Sequence, residues 1–279
     1  MTEDRPDDGP VTVIEPSVRF GLGLAGTWRS RELLLIFSRR QISARYRQML
    51  LGTLWAAMEP LGLLLMMTVI FGLLLKVDTE GYPYPVFAFA GMAAWLVFSR
   101  ATLAVAGCLL DNMGLISKVY FPRLILPVAA VARELFDGLL MMAILLLLAF
   151  AYGYPPTPRM LALPLILAFS ALLALAVGLW FAAFLVKFRD IRPILGLCLQ
   201  AGMYATPIVY SASLVPDRFR PIYDLNPMLW VVEFSRWALL GKEVALSPAL
   251  FLSGGVSLLL LLGGLSVFSL YERMAVDVQ

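Results

Sequence analysis

The sequence contains no histidine and only two cysteines among its 279 residues. Without histidine, the chain cannot form a His-ligated metal site or use an imidazole as a general acid or base. Cys108 and Cys198 lie in or beside apolar runs and do not share a C-x-x-C spacing, which indicates small buried residues rather than a redox or metal pair. The sequence therefore predicts neither a metal centre nor thiol chemistry.

Charged residues are also scarce, at 15%, whereas 61% of the residues are hydrophobic and the mean hydropathy is +0.84. A soluble domain of this composition would expose far too much apolar surface. The apolar runs are continuous over about twenty residues, unlike the alternating segments of about ten residues in a transmembrane barrel. The composition predicts an all-α integral membrane protein.

No phosphate-binding loop of the form G-x-x-x-x-G-K-[ST] occurs, since Gly241-Lys242 is followed by Glu243. The pattern G-x-G-x-x-G does occur at 21–26, but a dinucleotide fold needs a βαβ unit, for which there is no room before the first apolar run. We interpret this segment as a linker. Work driven by a nucleotide would have to be powered by another chain.

The predicted organisation is a flexible cytoplasmic tail (1–28), an amphipathic interface helix (29–48) and a transmembrane domain (49–279). Six apolar runs are candidate spans: about 50–75, 86–108, 124–150, 161–186, 193–210 and 248–270. The connections after spans two and four are the basic ones, and basic connections remain in the cytoplasm. Both termini are therefore predicted to be cytoplasmic, and the acidic tail lacks the apolar core of a cleaved signal peptide.

The interface helix is predicted because apolar side chains such as Leu33, Phe37 and Ile42 occur among several arginines. Its arginines are Arg39, Arg40, Arg45 and Arg47. On the cytoplasmic side they would contact lipid phosphates, each contributing about 1 kcal/mol of attraction. A basic flank that merely follows the positive-inside rule explains them equally well.

Ionisable residues inside the predicted spans form a second candidate site, because charge in hydrocarbon is costly without a partner. They are Glu59, Arg100, Arg133, Glu134 and Asp137. At ~1.5 Å per residue, all lie about a third to halfway across the membrane from the cytoplasmic side. Either they form a buried ion-pair network that fixes the helix register, or they help to pass an anionic or proton-coupled substrate.

The island between spans two and three, at 111–123, is too polar to span a membrane but has apolar side chains that could bind a partner. Its candidate docking residues are Leu115, Ile116, Lys118, Val119, Tyr120, Phe121 and Arg123. Both ends of the island join spanning helices, so it could transmit a push from a soluble partner into the membrane. An ordinary interfacial loop is the alternative.

The connection between spans five and six, at 211–247, is long, half apolar and interrupted by prolines. Asn226 followed by Pro227 is a typical helix start, with Asn as the cap and Pro at the first helical position. We expect a re-entrant helical hairpin that dips into the outer leaflet. Thr206-Pro207, just before it, is expected to kink span five.

Three stretches resemble the transmembrane subunit of bacterial type-2 ABC exporters, which move O-antigen, capsular or teichoic-acid polysaccharides on a polyprenyl lipid. They are RYRQMLLGTLWAAMEPL (45–61), LISKVYFPRLILP (115–127) and DLNPMLWVVEFSRWALLG (224–241). With the six-span layout, they cover nearly the whole chain. One departure is Glu59-Pro60, which stands where the family pattern has Gln-Pro and adds a charge to the membrane.

The resemblance implies a non-enzymatic transport subunit that forms a homodimer in the bacterial inner membrane. It implies a separate ATPase dimer that binds ATP and Mg, so that this chain itself carries no cofactor. The implied substrate is a lipid-linked polysaccharide, most typically O-antigen, and the surroundings are membrane lipids, with no nucleic acid. The region 111–121 becomes the coupling helix and 211–247 the outer gate.

Aromatic residues near the outer side complete the expected site. A glycan presents C–H faces, so a tunnel for it should offer flat aromatic surfaces. The candidates for the conduit and gate are Tyr204, Tyr210, Trp230 and Phe234. An interfacial belt of Trp and Tyr rings facing lipid headgroups is the alternative.

Two other functions remain open from the sequence. One is a permease of the same class for a drug or a small lipid. The other is a membrane enzyme acting on lipid-linked sugars, which would need an acid/base or metal cluster at a membrane surface. The carboxylates inside the spans lie too deep for such a cluster.

Overall fold

The computed structural model describes residues 24–47, 54–119, 121–244 and 247–277, and within these ranges the chain is helical, with no β-strand. The predicted all-α class is confirmed. The helices are α1 (Leu24–Arg29), α2 (Arg31–Tyr46), α3 (Leu54–Met67), α4 (Tyr84–Gly107), α5 (Met113–Ile116), α6 (Ile125–Ala151), α7 (Leu163–Lys187), α8 (Ile191–Ala205), α9 (Arg220–Asp224), α10 (Pro227–Leu240) and α11 (Pro248–Asp277).

Five stretches of the described residues are long and apolar enough to cross a membrane. They are Ala57–Leu74, Tyr84–Gly107, Ile125–Ala151, Pro158–Lys187 and Pro248–Leu270. The first of them continues α3 through a π-helical segment, Thr68–Leu74. These stretches correspond to predicted spans one, two, three, four and six, and the chain is a multi-pass membrane protein.

The predicted fifth span corresponds to α8, which has only 15 residues. At ~1.5 Å per residue it is shorter than the ~30 Å hydrocarbon core of a bilayer. The helix ends because Pro207 disfavours the helical conformation of the residue before it, and Thr206 is extended with φ −90° and ψ 138°. The expected kink is therefore a helix end, and the fifth predicted span, and with it the total of six, stays a prediction.

The interior of the bundle is organised around α4. In the apolar stretch of α4, 83% of the residues are buried, compared with 17–39% in the other four candidate spans. Small residues on α4 and on its neighbours allow these helices to pack closely. A Cβ atom added to Gly178 of α7 would lie 2.6 Å from Val105, and a Cβ atom added to Gly91 of α4 would lie 2.9 Å from Val232 of α10.

The helices place the connecting segments at two ends of the bundle. We call the end that holds residues 108–124 and 188–190 the lower end. The upper end holds residues 75–83, the segment from 206 to 226, and α10, which packs against α4, α7 and α11. The predicted coupling segment lies at the lower end and α10 at the upper end, whereas Asp137 lies about half-way along α6.

Candidate functional site

The coupling segment at the lower end is compact. It consists of a 3₁₀ turn, Leu110–Asn112, followed directly by α5. The Asn112 side-chain amide donates a hydrogen bond to the Cys108 carbonyl oxygen over 2.8 Å, which holds the turn against the end of α4. The segment is therefore tied to α4 rather than hanging below it.

The predicted docking residues differ in their exposure. Lys118 and Val119 are exposed, whereas Leu115, Ile116 and Arg123 are half-buried. Tyr120 lies outside the described residues. Met113, which the sequence analysis did not single out, adds a second exposed apolar side chain.

Phe121 points into the protein. Its ring is buried and stacks on Phe37 of α2, with ring centroids 5.5 Å apart. The apolar contact expected from Phe121 toward a partner is thus made with the interface helix. Among the described residues of the segment, the exposed apolar side chains are Met113 and Val119.

Three of the four interface-helix arginines are exposed, namely Arg39, Arg40 and Arg47. Arg45 instead faces α6. Its Nη1 lies 2.9 Å from Glu134 Oε1 and its Nη2 lies 3.2 Å from Asp137 Oδ2. These carboxylates are 2% and 1% exposed, and buried carboxylates need a paired cation. Arg45 therefore contacts protein rather than lipid phosphate.

The predicted charge layer separates into two sets of contacts. Arg100 of α4 pairs with Glu59 of α3 over 2.9 Å. Arg133 pairs with its neighbour Glu134, with donors at 2.7 and 2.9 Å, while Asp137 accepts a hydrogen bond from the Tyr46 hydroxyl. We call Arg45, Tyr46, Arg133, Glu134 and Asp137 the lower charge cluster. It is an ion-pair network, as the first alternative expects, but it includes α2, which the sequence analysis had not connected with it.

A polar cavity of about 330 Å³ lies beside this cluster. It is lined by Gln41, Ala104, Cys108, Asp111, Asn112, Ala130, Arg133 and Arg192. At its edge, Arg192 in the first turn of α8 donates to both carboxylate oxygens of Asp111, over 2.9 and 3.1 Å. The cavity thus lies among α2, the lower end of α4, the predicted coupling segment, α6 and α8.

At the upper end, α10 begins where the sequence predicts. The Asn226 side chain accepts a hydrogen bond from the Met228 N–H over 3.0 Å, and Pro227 occupies the first turn. Gly241 ends the helix with φ 75°, a left-handed conformation that favours glycine. The polar side of this helix faces inward, because Glu233 and Arg236 are both buried.

These two residues belong to an upper charge cluster that the sequence analysis missed. Its members are Glu80, Glu233, Arg236 and Lys242, joined in a chain of ion pairs of 2.9 to 3.2 Å. Arg236 is 0% exposed and lies 3.6 Å above the centre of the Phe87 ring. It also donates to the Ile208 carbonyl oxygen over 2.8 Å. Arg236 therefore holds α10 against α4 and against the segment after α8.

Glu80 is the exposed end of the upper charge cluster. Burial raises the pKa of its carboxyl group, but hydrogen bonds from Ser211 and Lys242 lower the pKa and outweigh burial. The net pKa lies below the usual value, so Glu80 is ionised at neutral pH.

The predicted conduit aromatics occupy two places. Tyr204 is 44% exposed, and the Tyr210 hydroxyl donates to its carbonyl oxygen over 3.1 Å. Trp230 is buried and donates to the Asp224 carbonyl oxygen over 2.8 Å. With Phe234, Trp230 lines an apolar cavity of about 300 Å³ that also involves α7 and α11, and neither tyrosine is part of that lining.

Comparisons with known proteins agree with this architecture. Residues 32–240 match the ABC-2 type transporter family. The chain is 28% identical over 243 residues to the O-antigen export system permease protein RfbA of Myxococcus xanthus, covering 86% of this chain and 93% of the relative.

Two further relatives are similar over most of their length. One is the O-antigen export system permease protein RfbA of Klebsiella pneumoniae, 27% identical over 198 residues, or 71% of this chain and 76% of the relative. The other is the polysialic acid transport protein KpsM of Escherichia coli, 26% identical over 239 residues, or 84% and 91%. The chain therefore belongs to the ABC-2 type transporter family, as a permease of a type-2 ABC exporter.

Proposed function

We propose that this chain is the membrane subunit of an exporter that moves a lipid-linked polysaccharide of the O-antigen type across the bacterial inner membrane. A separate ATPase dimer supplies the energy, since the sequence has no phosphate-binding loop. The relatives' names, which concern O-antigen export and polysialic acid transport, support a polysaccharide as the substrate. The observation that carries the proposal is an exposed, rigidly held coupling segment in a permease of this family.

The ATPase docks on the lower end in this proposal. Met113 and Val119 provide exposed apolar contacts, and Lys118 provides a charged rim. Behind them, the Phe121–Phe37 stack joins the segment to α2, and Arg45 joins α2 to α6. A push on the segment has a continuous packed route to the middle of the membrane.

A second copy of the chain completes the conduit. Both α3 and α8 expose apolar side chains, among them Leu65 on α3 and Leu197 on α8. Tyr204 and Tyr210 face the conduit at this subunit interface, and α9 and α10 form the re-entrant outer segment. Because Trp230 and Phe234 line a separate apolar cavity, we assign them to packing of the outer segment against α7 and α11 rather than to the gate.

Docking is tested by placing one charge at each end of the molecule. Val119→Asp puts an unpaired carboxylate into the proposed ATPase contact, so copurification of the ATPase and export should both fall. Leu214→Asp makes the same kind of change at an exposed upper position and should leave copurification intact. Normal ATPase binding by Val119→Asp would show that the segment is not the docking site.

The substrate is tested in a strain that lacks the gene. Lipid-linked polysaccharide should accumulate inside the cells, and the wild-type chain should restore glycan at the cell surface. Tyr204→Ala should slow the export of long chains more than Trp230→Ala, at equal protein levels. Unchanged surface glycan in the deletion strain would point to a drug or small-lipid permease instead.

Topology is tested by labelling single cysteines in intact cells, in a chain that lacks Cys108 and Cys198. Arg218→Cys should be labelled from outside, whereas Lys118→Cys should be protected. Labelling of residue 118 from outside would reverse the proposed orientation.

A further inference from the structure

A second link leaves the coupling segment, in addition to the route through α2. Asp111, in the 3₁₀ turn that opens the segment, receives two parallel N–H bonds from Arg192 in the first turn of α8. Such a forked arginine–carboxylate contact fixes the relative orientation of its two partners as well as their distance. The coupling segment is thereby attached to the lower end of the helix that carries Tyr204.

The end of α4 is shaped to accommodate this ion pair. A Cβ atom added to Gly107, the last residue of α4, would lie 2.9 Å from Asp111 Oδ2 and 3.0 Å from Arg192 Nη2. Any larger residue at that position would displace the two side chains. The Asn112–Cys108 hydrogen bond fixes the backbone of the same turn on the end of α4. The two side chains are 47% and 49% exposed, but they lie in a junction of three elements: the end of α4, the 3₁₀ turn and α8.

The packing of α8 allows the helix to move when its first turn is pulled. Its fully buried residues are Leu195, Leu199 and Met203, a single stripe at four-residue spacing. The rest of the helix surface is exposed or half-buried, in contrast to the extensive burial of α4. A short helix held along one stripe and grasped at its first turn can tilt as a rigid unit.

We propose that the Asp111–Arg192 pair is a positioning link that carries movement of the coupling segment into α8. The inference rests on the proposed function, because the movement originates in the docked ATPase. The pair does not contact the substrate. It sets where α8, and with it Tyr204, lies in each state of the cycle.

The test uses charge reversal in the complete transporter. Asp111→Arg and Arg192→Asp each place two like charges in contact, whereas the double variant restores an opposite pair in swapped positions. Each single variant should lower the glycan exported per ATP hydrolysed by about fivefold, the usual scale of coupling between contacting residues. The double variant should recover most of this loss. ATPase copurification and ATP hydrolysis should remain in all three variants.

Glycine variants test the same link without changing charge. Gly107→Ala should displace the pair and lower the export per ATP, since the atoms that must move are the ends of flexible side chains. Gly255→Ala in α11 is the matched control, because a Cβ atom there meets nothing within 4 Å and the position is outside the coupling segment and α8. Equal export by the two glycine variants would overturn the proposal.

The remaining outcomes separate the link from the proposed function. A double variant no better than the single variants overturns the link, as does loss of ATPase copurification in the single variants, which would place the pair in the docking surface. Glycan export by the wild-type transporter is measured in the same assay. Its absence would contradict the proposed function, whatever the variants do.

Discussion

The two charge clusters at opposite ends of the bundle contain the same number of cations and carboxylates, but they join different kinds of elements. Each holds two cations and two carboxylates, so neither carries net charge. The lower charge cluster joins α6 to a single peripheral helix, α2, and lies beside a polar cavity of about 330 Å³. The upper charge cluster joins α10 to connecting segments that are distant in the sequence, around a fully buried Arg236.

The difference indicates what each cluster is for. Both clusters leave a buried polar atom without a hydrogen-bond partner among the described residues, Glu134 Oε2 in the lower cluster and Arg236 Nε in the upper one. They differ in packing, because no described residue of α2 is buried. Moving α2 would therefore separate the ion pairs of the lower charge cluster. Arg236 is held by a carboxylate, a backbone carbonyl group and an aromatic ring, so opening the upper cluster requires α10 to separate from α4. We infer that the lower end moves and the upper end is fixed.

The largest expected effect is the loss of Arg236. Arg236→Met would leave Glu233 with Lys242 as its remaining ion-pair partner and remove the donor to the Ile208 carbonyl oxygen. Removing one partner of a buried ion pair costs about 3 kcal/mol or more, and thermal unfolding of the purified protein in detergent should show a clear decrease in Tm. The double variant Glu233→Gln/Arg236→Met should be less destabilised. A Tm close to that of the wild type would refute the idea of a fixed upper end.

Loss of Arg45 should have a smaller and more local effect. Arg45→Ala removes the cation shared by Glu134 and Asp137, at a cost of about 1–3 kcal/mol. Because Arg133 still pairs with Glu134, the bundle should remain folded while α2 loosens. Hydrogen–deuterium exchange should increase across residues 31–46 and remain unchanged in α10. Arg40→Ala, at an exposed position of the same helix, is the control, and equal exchange in both variants would contradict the lower-end model.

The smallest expected effect is the contribution of Glu80 to the pH dependence of stability. Its pKa is lower in the folded protein than the reference value of 4.5, so the ionised form stabilises the fold above that value. This contribution is lost as the pH falls below 4.5 and through the lowered pKa of the folded protein. Glu80→Gln should lower Tm slightly at pH 7 and flatten its decrease at acidic pH.

Tm is measured over a pH series for the wild type, for Glu80→Gln and for the control Asp217→Asn, which lies in an exposed loop. If the control flattens the curve as much as Glu80→Gln, the effect does not come from the upper charge cluster.

The sequence predicted the lower charged residues better than their pairing. Glu134 and Asp137 stand out because charges inside apolar runs are rare. Their partner Arg45 lies outside the predicted spans, where an arginine is commonplace. Phe121 could be recognised as apolar, but its sequence position does not show that it faces α2 rather than a partner.

The upper charge cluster could not be predicted in the same way. Its members come from two regions that are distant in the sequence, Glu80 in one connection and Glu233, Arg236 and Lys242 in another, where charged residues are normal. The one available signal was Glu233 and Arg236 at a spacing of three on a largely apolar helix, which is consistent with a buried pair. The end of α8 was also marked in the sequence, since the residue before a proline is displaced from the helical conformation.

Because α4 is buried so extensively, the bundle cannot form until the helices that cover α4 have been synthesised. This helix is followed in the chain by α6, α7 and α10, the elements that cover it. Until they are synthesised, its fully buried Thr102 side chain lies against lipid or the insertion machinery. The tertiary structure can therefore close only after residue 240 has been added. Membrane proteases should recognise earlier intermediates by an uncovered second helix.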